Sequence, residues 1–133
     1  MISLEKFIEY NHNIPYMSFS FLNAPEDNKE LLIGDVVRVL SLLLGNLWLS
    51  ELLSELTSFR STLGRPVAFS NEELDNSIKT LKALNIITTR EGFRATFNKP
   101  EPDVLVGLID SKTLGAALEL DADIGKYRML SKF

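Results

Sequence analysis

The chain has 133 residues, 45% of them hydrophobic and 24% charged, a composition typical of one globular domain rather than a disordered or fibrous chain. It contains no cysteine, which excludes disulfides, thiolate nucleophiles and cysteine-ligated zinc, and fits a reducing cytoplasm. The net charge of −4 disfavours nucleic acid as a partner, because phosphate binding depends on lysine and arginine.

Membrane insertion and secretion are not expected from the apolar and charged patterns. The most apolar stretch, residues 36–56, is interrupted by three charged side chains, and its uncharged part is shorter than the about 20 apolar residues that a bilayer requires. The first residues include Glu5 and Glu9 and lack the basic segment that opens a secretory signal. We therefore expect a soluble, cytoplasmic protein, folded as a single domain over residues 1–133.

Residues 1–28 are predicted to form an N-terminal extension. A short helix is expected over residues 4–10. Apolar residues then alternate with polar ones over residues 16–21, which indicates a strand with one buried face. Proline 25 and its neighbours end that strand.

Two apolar helices are expected next, over residues 29–44 and 47–63. The first is apolar on all sides, so it is predicted to lie at the centre of the fold or at a subunit interface. Asn46 is predicted as the N-cap of the second helix, and Gly64 stands where the residue after a helix is often glycine.

The third helix has the clearest start in the sequence. Ser70 and Glu73 are spaced as a capping box, in which each side chain accepts a hydrogen bond from the other residue's backbone amide. Leucine and isoleucine at a spacing of three and four continue to Leu84, and Asn85 is predicted to end the helix in the left-handed conformation.

A β-hairpin is predicted after this helix. Residues 86–90 and 93–97 are rich in strand-forming side chains, and Glu91 and Gly92 between them are predicted to form the turn, with glycine supplying a positive φ.

The two prolines at 100 and 102 predict a boundary before a C-terminal segment, residues 101–133. Within it, residues 112–120 are expected to be helical with Asp110 or Ser111 as cap, and a last helix is expected over residues 122–131. The surplus apolar surface of the first helix must be covered either by the ends of this chain or by a second copy. The C-terminal segment is therefore a candidate dimerisation element.

Residues 70–94 resemble the recognition helix and wing of winged helix-turn-helix proteins. The shared pattern is leucine-like residues at helical spacing, an Asn at the helix end, two aliphatic residues, and a direct passage into β-strands. With the two preceding helices the resemblance covers residues 29–98, about half the chain. It implies a mainly α fold with a small β-hairpin wing, an α+β class, flanked here by N- and C-terminal segments.

The resemblance also implies a double-stranded DNA interface and a transcriptional regulator as the leading function. The third helix would enter the major groove and the wing would contact the backbone, and the positions that correspond to the family's DNA contacts are Asn71, Asn76, Lys79, Thr80, Arg90 and Arg94. The alternative is a winged-helix module that binds another protein within a larger assembly and does not bind DNA. A homodimer is compatible with both hypotheses.

Charge distribution separates these two hypotheses. The front of the third helix carries Glu72, Glu73 and Asp75, which the helix dipole, the capping box and an i,i+4 pair with Lys79 explain structurally. A continuous positive stripe joining Lys79 to the wing arginines would favour DNA, whereas a patch broken by these acids would favour a protein partner.

Catalysis is not expected. The sequence contains no glycine-rich dinucleotide motif, Walker motif or nucleophile elbow, and it has a single histidine. We therefore predict no enzyme activity, no cofactor and no metal site.

Overall fold

A computed structural model describes Leu22 and residues 27–131. The predicted N-terminal helix and strand lie outside these residues. The described chain forms five helices and three strands, and none of these helices is both long enough and apolar enough to span a membrane. In chain order the elements are α1 Asn28–Leu42, β1 Asn46–Trp48, α2 Leu49–Thr62, α3 Asn71–Ala83, β2 Ile87–Arg94, β3 Glu101–Leu108, α4 Ser111–Ala117 and α5 Ala122–Leu130.

The three strands form one antiparallel sheet in the order β1-β3-β2. Ile87 pairs with Leu108 and Arg94 pairs with Glu101, so β2 and β3 are matched along their whole length. The short strand β1 pairs with the inner part of β3, from Leu105 to Gly107. The α+β class predicted from the sequence is confirmed.

The predicted hairpin turn at Glu91 and Gly92 is wrong. β2 runs straight through both residues, and its partner is not residues 93–97 but β3, which begins at Glu101. Gly92 does not have a positive φ, and the space beside it is filled instead: a Cβ there would lie 3.1 Å from Cη2 of Trp48. A glycine in a strand marks close approach as readily as a turn, and that ambiguity misplaced the hairpin.

The predicted boundary at residues 100–102 is also wrong, since β3 starts within it and extends the sheet beyond residue 98. Pro102 sits inside this strand, opposite Phe93. Proline is acceptable there because β1 reaches only as far as Leu105, which leaves one side of β3 without a strand partner at Pro102.

Strand β1 was not predicted, and Asn46 is its first residue rather than a helix cap. Leu44 and Gly45, with φ of 67° and 88°, turn the chain out of α1, and Gly45 then accepts a 2.7 Å hydrogen bond from the Leu108 amide. The cap of α2 is Trp48, whose amide donates to the Glu51 carboxylate at 3.1 Å.

The other local signals in the sequence are confirmed. The Ser70 hydroxyl accepts from the Glu73 amide at 3.0 Å, and the Glu73 carboxylate accepts from the Ser70 amide at 3.1 Å. Asn85 has a φ of 58° and follows the end of α3. Asp110, one of the two predicted caps, caps α4 with its side chain. Asp121 caps α5 in the same way, although no cap was predicted there.

Helix α1 lies at the centre of the core, as its all-round apolar surface predicts. Nine consecutive residues, 32–40, are buried, and the helix packs against α2, α3, β3 and α4. The C-terminal helices contribute Leu114, Leu118 and Ile124 to the same core. Part of the covering of α1 therefore comes from the end of this chain.

Charged side chains also occur inside this core. Asp35 of α1 is 0% exposed and accepts hydrogen bonds from three arginines. Nη1 of Arg38 and Nε of Arg60 each lie 3.1 Å from its carboxylate oxygens. The third donor is Arg65, from the loop between α2 and α3.

Two aspartates at the start of α5 complete this group. Nε of Arg38 donates to Asp121 at 3.0 Å and Nη2 of Arg38 donates to the Leu22 carbonyl at 3.1 Å, while Arg65 donates to Asp123. We call the six side chains the Asp35 cluster: Asp35, Arg38, Arg60, Arg65, Asp121 and Asp123.

The Asp35 cluster is electrically balanced, with three arginines and three aspartates. Burial alone would lower the pKa of Arg65, but hydrogen bonds and charge from Asp35 and Asp123 outweigh it and raise that pKa above its usual value. Arg65 therefore stays cationic. Arg65 points inward from the loop between α2 and α3, because its guanidinium contacts Asp35 of α1.

Asp35→Asn is expected to lower the free energy of unfolding by about 3–5 kcal/mol, because it leaves three arginines without their shared carboxylate in the core. Urea denaturation measures this change. The matched control is Asp75→Asn, which removes an exposed ion pair with Lys79 and should cost at most about 1 kcal/mol. Equal losses in the two variants would contradict a central role for Asp35.

Candidate functional site

A groove of about 650 Å³ runs between the beginning of α2, one side of α3 and the β2–β3 strand pair. We call it the α3 groove. Its lining residues come from all three elements: Leu49, Ser50, Leu53, Asn71, Leu74, Asp75, Ile78, Lys79, Lys82, Thr89, Val104 and Val106.

One stripe of α3 forms the longest wall. Six α3 residues between Asn71 and Lys82 line the groove. Successive residues of this set are three positions apart or adjacent, so all six lie on one face of the helix. At a rise of about 1.5 Å per residue this wall is about 16 Å long. Leu74 and Ile78 are buried at its base, whereas Asp75 and Lys79 are exposed at its rim.

The opposite walls are apolar. Thr89 is paired with Val106 across the sheet and lies on the same face as Val104, because side chains alternate along a strand. Leu49 and Leu53, one helical turn apart on α2, close the groove, and Leu53 remains 39% exposed. The groove therefore has an apolar base and a partly polar rim.

The rim carries one excess positive charge. Lys79 Nζ lies 3.0 Å from the carboxylate of Asp75, and both side chains are exposed, so they neutralise each other at the surface. Lys82, near the end of α3, is also exposed and makes no ion pair with any residue that the structure describes.

The four DNA-contact positions predicted on α3 fall in different surroundings. Asn71 and Lys79 line the α3 groove. Asn76 is exposed and does not line it. The Thr80 hydroxyl donates to the Asn76 carbonyl at 2.9 Å, so its hydrogen is already engaged within the helix.

The two predicted wing arginines lie on the other face of the sheet. Thr89 faces the groove, so strand alternation places Arg90 and Arg94 on the opposite side. Arg94 is half-buried and donates to Asp103 at 3.0 Å and to Glu101 at 3.4 Å. Arg90 is exposed. Lys79, Arg90 and Arg94 therefore do not share one face, and two of the three are held by carboxylates.

Asp103 ties the sheet to the beginning of α2. Its Oδ2 accepts from the Ser50 hydroxyl at 2.6 Å and from Arg94 Nε at 3.0 Å, and its Oδ1 accepts from the Val104 amide at 2.7 Å. Burial would raise the pKa of Asp103, but these hydrogen bonds outweigh it and hold that pKa below its usual range. This contact links the strand pair to Ser50, which lines the groove at the beginning of α2.

The groove was not detected by the sequence analysis. The walls come from segments about fifty residues apart, and only the sheet register brings them together. Asn71 and Lys79 are the two predicted site residues that belong to it.

Comparison of the chain with protein-family models, with curated proteins and with solved structures gave no match. Within the described residues, no group of three or more histidine or acidic side chains is arranged to hold a metal ion.

Asp103→Asn should reduce stability at neutral pH by about 1 kcal/mol, because charge-assisted hydrogen bonds from Ser50 and Arg94 are lost. The folded-state pKa of Asp103 lies below its unfolded value of about 3.9, so the wild-type advantage is full above that value. It should disappear as the pH falls through the lowered pKa. Urea denaturation at several pH values measures the difference. A difference in stability between the wild type and Asp103→Asn that persists unchanged in strong acid would contradict this account.

Proposed function

We propose that the protein is a winged-helix module that binds another protein through the α3 groove. The order of elements supports the winged-helix assignment: two helices precede α3, and α3 leads almost directly into the paired strands β2 and β3. In this arrangement α3 corresponds to the recognition helix and the strand pair to the wing.

The observation that carries the proposal is the apolar base of the groove. It lies on the side of α3 that adjoins the wing, and it is bordered by Leu53, Ile78 and Val104. A long apolar groove beside a helix is a common recognition surface for protein segments. Phosphate groups, by contrast, are bound by cations and backbone amides.

The charge of the surrounding surface supports the same choice. Residues 71–108, which contain α3, β2 and β3, carry five basic and six acidic side chains, a net charge of −1. Lys79 and Arg94 are held by acidic neighbours, and Arg90 lies on the other face of the sheet from Lys79. A surface that binds DNA would instead be expected to carry a continuous positive stripe across α3 and the strand pair.

DNA binding is the second candidate function, and specific side chains favour it. Lys82, Arg90 and Lys99 are exposed and make no ion pair with the described part of the chain, and Asn71 and Asn76 present exposed amides on α3. Such groups can contact phosphates and base edges. A cytoplasmic location, proposed from the cysteine-free composition, suits both functions.

The groove is tested by Leu53→Asp, which places a charge on its apolar wall. Chemical cross-linking in an extract of the source cells should recover a partner with the wild type and lose it by about tenfold or more with Leu53→Asp. Leu120→Asp is the matched control, because Leu120 is 72% exposed and does not line the groove. The proposal requires that this control retain the partner.

Purified partner and calorimetry would then confirm direct binding, and thermal unfolding would show that both variants are folded. A partner that is retained by Leu53→Asp, or lost equally by both variants, would overturn the assignment of the groove.

The DNA alternative is tested by fluorescence anisotropy with mixed-sequence duplex DNA at about 50 and 200 mM salt. We expect no salt-sensitive binding by the wild type, because the cations of this surface are dispersed or paired. Lys82→Ala/Arg90→Ala/Lys99→Ala, which removes the three exposed cations that make no ion pair with the described part of the chain, serves as the comparison. Binding at low salt that this triple variant loses would replace our proposal with the DNA function.

A further inference from the structure

We propose, on the basis of the proposed function, that the occupant of the α3 groove is an amphipathic α-helix of the partner. Its apolar face would lie against the base of the groove, and an acidic side chain at the edge of that face would pair with Lys82.

The shape of the groove fits a helix. The lining stripe of α3 covers about three helical turns, or about 16 Å, and α2 contributes Leu49 and Leu53 one turn apart on the other side. Rows of side chains spaced by three and four residues are the surfaces that helices use to pack against one another. A partner helix with apolar residues at i, i+3, i+4 and i+7 would fill the space between these rows.

The groove is open to solvent along its rim, which favours a macromolecular segment over a small molecule. Leu53 is 39% exposed and the Lys79 side chain is 70% exposed, so both face water at the rim. Small-molecule sites usually bury most of the ligand surface.

Beyond the groove the same sheet face carries the exposed Glu91 and then two further apolar residues. Phe93 and its partner Pro102 lie on the same sheet face as Thr89 and Val104, further along the strands, and Phe93 is 71% exposed. An elongated partner can contact this extension as well as the groove.

The charge of the groove determines which partner helices it favours. Asp75 and Lys79 neutralise each other at 3.0 Å, so the groove offers one cation that is not already paired within the described chain, Lys82. An acidic residue beside the apolar face of the partner would complement it. A basic residue at that position would meet like charge.

The test is a displayed library of single helices in which leucines are fixed at i, i+3, i+4 and i+7 and the flanking positions are randomised. The library is selected against the full chain and, in parallel, against Lys82→Glu. We expect Asp and Glu to be enriched at a flanking position by the wild type, and Lys and Arg by Lys82→Glu. The best acidic helix should bind the wild type about two- to fivefold more tightly than Lys82→Glu.

Leu53→Asp should weaken helices from both selections by about tenfold or more, and Leu120→Asp should leave them unchanged. The same flanking residues enriched on both targets would overturn the pairing with Lys82. No enriched helix on either target would overturn the helical occupant. Neither result would contradict a partner that the cross-linking comparison had assigned to the groove. The proposal of a helical occupant can therefore be wrong while the proposal of a protein-binding groove remains correct.

Discussion

The fold depends on one buried carboxylate. Asp35 lies in the middle of the central helix and holds one arginine from its own helix, one from the end of α2 and one from the loop before α3. Through Arg38 and Arg65 the same contacts reach the start of α5. An ion group of this kind contributes little net stability when intact, because desolvation offsets its attraction, but it penalises any arrangement that separates its members. It therefore fixes where α2 ends, how the following loop runs and where the C-terminal helix docks.

The opposite end of α2 has fewer charged contacts than the end at Arg60. Ser50 and Arg94 meet on Asp103, and this group adds a polar contact between the beginning of α2 and the strand pair beside the pairing of β1 with β3. The α3 groove opens on this side, away from the Asp35 cluster. The molecule thus has one end made rigid by buried charge and one end where apolar side chains remain accessible, and a binding surface is better placed on the second because docking there disturbs no buried charge.

Sequence reasoning succeeded where a signal is local. The capping box of Ser70 and Glu73, the left-handed Asn85 and the Asp110 cap each depend on residues within a few positions of one another. It failed where the determining contact is distant. Strand β1 has three residues, too few to show a period, and is defined by its pairing with β3 about sixty positions later.

The Asp35 cluster was missed for a related reason. A lone aspartate and arginine in an apolar helix look like interruptions of that helix, and their partners lie up to 83 positions away. Gly92 shows the same limitation, because the sequence contains no sign that Trp48 fills the space beside it.

The distinction between formal charge and available charge supports the proposed protein-binding function over the DNA alternative. Residues 57–100 contain seven basic side chains, a number that favours DNA when it is counted along the sequence. Four of them are occupied in the folded chain: Arg60, Arg65, Lys79 and Arg94. The three that remain are spread over α3, β2 and the turn after it, while Glu72 and Glu91 stay exposed among them. A polyanion is bound best by several cations in register with its phosphates, whereas these three are dispersed. Binding of a protein segment in the apolar groove requires fewer charged contacts than DNA binding does. The partner must supply a strip of apolar side chains and one carboxylate to pair with Lys82.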